Sequence, residues 1–92
     1  MTEPVLREHL IVNEKGLHAR ASAKLVETVE EFDAAAVVRK DGLDAAGDSI
    51  MGLLMLAASK GTTIEVETSG PAAEALADAL EGLIAGKFGE EE

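Results

Sequence analysis

Ala34-Ala35-Ala36-Val37-Val38-Arg39-Lys40-Asp41-Gly42-Leu43-Asp44-Ala45-Ala46 is the stretch whose reading decides the fold. Asp41-Gly42 stands between two runs of strand-forming residues. Asp-Gly is the signal of a type I′ hairpin loop, which needs positive φ at both central positions, and Asp tolerates this while Gly adopts it without a steric penalty. Residues 34–40 and 43–46 therefore read as an antiparallel pair. Just upstream, Ala21, Leu25, Val29 and Phe32 recur at helical spacing within residues 19–32, so an amphipathic helix precedes the hairpin. Just downstream, Gly47-Asp48-Ser49 supplies a breaker and a helix cap, and residues 50–58 read as a short helix that stops at Lys60-Gly61.

The outer segments complete the pattern. Residues 5–12 are rich in Val, Ile and Leu and end in the turn residues 13–16, which reads as a first strand. In residues 62–68, Thr63, Glu65 and Glu67 alternate with Ile64 and Val66, the period of a half-buried strand. Ser69-Gly70-Pro71 then opens a last helix, with Pro71 suited to the first turn and Leu76, Leu80, Leu83 and Ile84 as the apolar stripe. Residues 89–92 form an acidic tail expected to fray. The order βαββαβα predicts an α+β, two-layer, open-faced sandwich with the helices on one face of a mainly antiparallel sheet. At 92 residues, residues 1–92 read as a single domain with one modest core.

Composition narrows the function. Hydrophobic residues make up 47% of the chain but aromatic ones only 2%, so Phe32 and Phe88 are the core's only rings and no aromatic platform exists for stacking bases. A net charge of -10 repels nucleic-acid phosphates and anionic lipid, which makes both poor partners. The absence of cysteine removes any disulfide framework and any thiolate metal site. No basic segment with a following apolar run opens the chain, and no stretch has the length of a membrane span, so the reading is a soluble cytoplasmic protein and a monomer.

Residues 16–20 can supply what phosphoryl transfer needs. His18 falls at the junction of loop and helix, where unpartnered N–H groups and the positive end of the helix dipole favour anions and a neutral, nucleophilic imidazole. Arg20 carries a planar fork of donors suited to phosphate oxygens. Gly16 lets the loop turn with positive φ or approach closely. Taken alone, a histidine near a helix start is more often a cap or a surface residue, and His9, in the first strand, reads as structural. Neither histidine has the i, i+4 partner of helical zinc motifs, so no metal and no cofactor is read from the chain.

Gly16-Leu17-His18-Ala19-Arg20 resembles the phosphorylation-site motif of the HPr family, and Asp48-Ser49-Ile50-Met51-Gly52 resembles its regulatory serine segment at the family's spacing. The resemblance implies a phosphocarrier of the phosphoenolpyruvate-dependent phosphotransferase system. In it, Enzyme I phosphorylates His18 on Nδ1 and a IIA-type protein receives the group, so the chain is a transfer intermediate and not a stand-alone enzyme. It also implies four antiparallel strands covered by three helices, and an HPr kinase/phosphorylase acting on Ser49 in organisms that have one. One departure stands out: many members carry proline after the Gly-Leu-His-Ala-Arg run, whereas this chain has Ala21, which keeps an extra N–H near His18.

The helix after Ser49 is apolar on two sides. Leu53, Leu56 and Ala57 group on one, while Ile50, Met51, Leu54 and Met55 group opposite and should form an exposed docking patch; Leu17, beside His18, is assigned to the same partner-binding surface. A rival reading is a regulatory HPr-like module that docks to partners without transport, although His18 is present. A small phosphatase on a similar fold would need a second polar cluster to position water, and none lies near Arg20 in sequence.

Overall fold

The computed structural model describes residues 3–90. Its elements are β1 (Val5–Leu10), α1 (Ala19–Glu30), β2 (Ala35–Lys40), β3 (Leu43–Ala46), α2 (Ile50–Met55), β4 (Thr63–Ser69) and α3 (Ala73–Ala85), with a 3₁₀ turn over Lys87–Gly89. The sheet runs β1-β4-β2-β3 and every pairing is antiparallel. Asp41 and Gly42 both take positive φ, 52° and 81°, and Lys40 pairs with Leu43 across the two-residue loop, as the Asp-Gly signal demands.

Alternation along the strands sorts the two faces. Ile64, Val66 and Thr68 of β4, Ala36 and Val38 of β2 and Ala45 of β3 point into the core. There they meet Leu25 and Val29 of α1, Leu53 of α2 and Leu76, Leu80 and Ile84 of α3. The opposite face is open, with Leu6 and Leu10 exposed and Arg39 bonded to Glu65 and Glu67 across β2 and β4. Ala21, fully buried, is the small residue on the core side of the first turn of α1.

Several boundaries differ from the sequence reading for local reasons. Ile11 lies beyond β1 yet exchanges backbone bonds with the turn before β4, Ile11 N–H to Thr62 O at 2.9 Å and Gly61 N–H to Ile11 O at 2.8 Å. The segment after α2 turns at Ala57, whose φ is +52°; this ends the helix at Met55, leaves Ala57 exposed, and buries Ala58 in its place. Pro71 precedes α3 and occupies the second position of a turn closed by Ala73 N–H to Gly70 O at 3.2 Å, a place proline's fixed φ suits as well as a helix start.

The tail departs most. Gly89 belongs to the 3₁₀ turn, fully buried Phe88 plugs the core, and Glu90 sets its carboxylate on His18 and Asn13, where the sequence reading expected fraying. The apolar ring outweighs the charges around it. Glu91 and Glu92, also assigned to the frayed tail, lie outside the described residues.

Candidate functional site

His18 is the N-cap of α1, with extended backbone (φ −79°, ψ −176°) and no side-chain bond back to the helix. Its carbonyl accepts Ser22 N–H at 2.8 Å. This is the first bond of the helix, so the N–H groups of Ala19, Arg20 and Ala21 lie ahead of it without a helical partner and without a capping side chain. The imidazole is about a quarter exposed, with 27% of its side-chain surface open. A ring that makes no capping bond leaves the N–H groups of the helix start open to an anion.

The loop that carries it is pinned from below. Gly16 has φ +65°, its N–H donates to Asn13 O at 3.1 Å, and Leu17 N–H donates to Ala58 O at 2.8 Å. A Cβ at position 16 would lie 2.4 Å from Ala58 O and 2.8 Å from Ser59 Cα, both backbone atoms that cannot give way. Gly16 is thus required twice, for its φ and for its contact. The same inward turn buries Leu17 to 4% exposure, which corrects its assignment to a docking surface: its side chain is part of the core.

Around the ring, an open cleft is lined by Glu14, Lys15, His18, Arg20, Lys24 and Glu90. Arg20 is exposed and, among the described residues, makes no ion pair, so its fork is free for a ligand. Lys24, one helical turn after Arg20, donates to Phe88 O at 2.6 Å. Three cations against two carboxylates, Glu14 and Glu90, leave this cleft with a small positive excess on a chain of net charge -10. The sequence reading found His18, Arg20 and Gly16 and missed Lys15, Lys24, Asn13 and Glu90. Spacing of four on α1 signals Lys24 beside Arg20; nothing local signals Glu90.

Glu90 places Oε2 against His18 Nε2 and accepts Asn13 Nδ2–H on Oε1 at 3.1 Å. The hydrogen bond from His18, more than the one from Asn13 or the charge of Lys15, holds its carboxyl below the usual carboxylate range against the opposing effect of desolvation. His9 is elsewhere, opposite Ile64 in β1, half-buried, with burial pushing its ring toward the neutral form and the neighbouring Glu81 opposing that. Among the described residues no group of three or more His, Cys, Asp or Glu could hold a metal, and no helix is long and apolar enough to cross a membrane.

Ser49 caps α2, its Oγ accepting Gly52 N–H at 3.0 Å. Leu53 and Leu56 turn inward, whereas Ile50, Met51, Leu54 and Met55 are exposed, Met51 and Met55 by 71% and 74%. The patch and the His18 loop are neighbours, because Gly16 and Leu17 rest on the chain that leaves α2 at Ala58 and Ser59.

Residues 5–86 match the family described as "PTS HPr component phosphorylation site". The Phosphocarrier protein HPr of Cupriavidus necator is 45% identical over 86 residues, which cover 94% of this chain and 97% of the relative. The Phosphocarrier protein NPr of Escherichia coli K12 is likewise 45% identical over 76 residues, 82% of this chain and 81% of the relative. Among solved structures, HPr-C-His from Thermoanaerobacter tengcongensis superposes with a TM-score of 0.86 at 37% identity, covering 99% of this chain and all of that one.

Proposed function

This chain belongs to the HPr family of phosphotransferase-system phosphocarriers, and from that premise we propose that His18 receives a phosphoryl group from Enzyme I and passes it to a IIA-type protein. The observation that carries the reading is the imidazole at the start of α1 that makes no capping bond, on one cleft with Arg20, which makes no ion pair among the described residues. In the transfer, a ring-nitrogen lone pair forms a bond to phosphorus while the donor's bond to phosphorus breaks and its electron pair stays with the donor. The phosphoryl oxygens then meet the fork of Arg20 and the N–H groups at the helix start, where the dipole favours negative charge. Passing the group on reverses these steps.

Incubation with phosphoenolpyruvate and Enzyme I tests the reading. It requires an acid-labile adduct at one equivalent per chain; sustained release of phosphate would favour an enzyme, and no adduct would favour the module that acts by docking alone.

The exposed side of α2 is the surface on which Enzyme I and the IIA-type protein dock. Met51→Asp should raise the Enzyme I KM roughly tenfold, the effect of about 1.4 kcal/mol of lost contact. Stability should stay within about 0.5 kcal/mol, because Met51 is exposed. A steep fall in melting temperature would instead place Met51 in the core.

Ser49 is the regulatory residue of this surface, the target of an HPr kinase/phosphorylase. Phosphate at a helix N-terminus leaves the fold in place, since negative charge there is favourable by about 0.3–1 kcal/mol. It also sets a hydrated dianion beside the apolar residues a partner must cover. Phosphorylated protein should therefore dock to Enzyme I poorly and melt no lower than wild type. Ser49→Ala should dock normally and melt lower by the loss of a cap, about 1 kcal/mol. Normal docking of the phosphorylated form would reduce Ser49 to a cap.

A further inference from the structure

After α3 the chain adopts left-handed backbone at three successive residues, Lys87 (φ 58°), Phe88 (φ 55°) and Gly89 (φ 75°). Two of them carry side chains, which rarely adopt this backbone. Such a run persists only where its surroundings fix it. Phe88 is fully buried, Lys24 Nζ donates to its carbonyl at 2.6 Å, and Gly89 and Glu90 N–H close on Gly86 O and Lys87 O, each at 3.0 Å. The reversal carries Glu90 back across the start of α1 and brings its carboxylate to His18.

The carboxylate is held from both sides. Asn13, with no exposed surface, donates one amide hydrogen to Glu90 Oε1 and the other to Gly16 O at 2.8 Å, tying Glu90 to the loop that positions His18. Glu90 Oε2 meets His18 Nε2. An ionised carboxylate only accepts hydrogen bonds, so the ring atom facing it must carry the proton. In the neutral ring this leaves the lone pair on Nδ1.

We propose that Glu90 is a positioning residue for His18: held by Asn13, it keeps the neutral ring in its Nε2–H form and aims the Nδ1 lone pair at the incoming phosphoryl group. The inference rests on the reading of His18 as phosphoryl acceptor. Attack by Nδ1 forms the nitrogen–phosphorus bond, the donor departs with its electron pair, and no proton leaves the ring. The phosphorylated ring is then an imidazolium that still carries Nε2–H, and its positive charge faces Glu90 while the phosphoryl oxygens face Arg20, Lys15 and the helix start. On the second transfer the nitrogen–phosphorus electron pair returns to Nδ1. Glu90 therefore acts in both directions without being consumed.

Full-length wild type, Glu90→Gln and Glu90→Ala test this by ¹⁵N NMR of the His18 ring at a pH where it is neutral, beside Enzyme I kinetics and melting curves. Wild type should show the Nε2–H pattern alone. Glu90→Ala should show the Nδ1–H form as well and lose kcat for phosphoryl acceptance by on the order of tenfold, the lower end of the loss seen when a metal-bound histidine loses its orienting partner, with an unchanged Enzyme I KM. Glu90→Gln, whose amide oxygen can still accept from Nε2, should restore the ¹⁵N pattern and recover part of kcat. An unchanged pattern and kcat in Glu90→Ala, with wild type labelled normally, would overturn the role of Glu90. Absence of labelling in wild type would overturn the reading on which it rests.

Discussion

His18→Ala is expected to remove all Enzyme I-dependent labelling while leaving the melting temperature close to that of wild type. The two halves of that result have separate causes. The ring is the only imidazole lining the cleft, and the other histidine, His9, lies half-buried in β1 opposite Ile64 and is not among the lining residues. The other nitrogen-bearing side chains of the cleft, Lys15, Arg20 and Lys24, are hydrogen-bond donors with no acceptor lone pair. The small change in stability follows from the position. As an N-cap that makes no side-chain bond to α1, His18 contributes no cap for alanine to remove. Its contact with Glu90 is a partly exposed pair, a class that contributes at most about 1 kcal/mol. Acid-labile phosphate that persists in the variant would relocate the site, and a collapse of the melting curve would make His18 a structural residue.

What could be read from the chain, and what could not, follows from the range of each signal. The Asp41-Gly42 loop was legible because its demand for positive φ is met by two adjacent residues and by nothing distant. The exposed side of α2 was legible because two apolar groups on one short helix cannot both face the sheet. The end of that helix was not, because Ala57 takes φ +52° without belonging to a residue type that announces it. Leu17 was misplaced because its depth depends on Gly16 turning against Ala58, a contact made by folding. Glu90 was read as part of a solvated end because its neighbours in sequence are charged, although its neighbours in space are Asn13 and His18. What outweighs those charges in the fold is the burial of Phe88, one of only two aromatic residues in the chain.

Phe88→Ala is accordingly the substitution expected to cost the most stability. The ring is fully buried in the same cluster as Leu25, Leu76 and Ile84, and removing it both returns its transfer free energy and leaves a cavity, together about 3–5 kcal/mol. For a domain of this size each 1 kcal/mol moves the melting temperature by about 4–8 °C, so a fall of at least roughly 12 °C is expected. The left-handed turn at 87–89 then loses the burial that offsets its strain, and Glu90 is released from His18. Phosphoryl acceptance should fall by the same factor as in Glu90→Ala, measured at a temperature where the variant is folded. Phe88→Leu separates the two effects: it keeps most of the buried apolar surface, so it should hold the turn, the Nε2–H ring pattern and most of the melting temperature. A Phe88→Ala protein that melts within about 2 °C of wild type, less than the shift expected for 1 kcal/mol, would show that the turn at 87–89 is not anchored in the core.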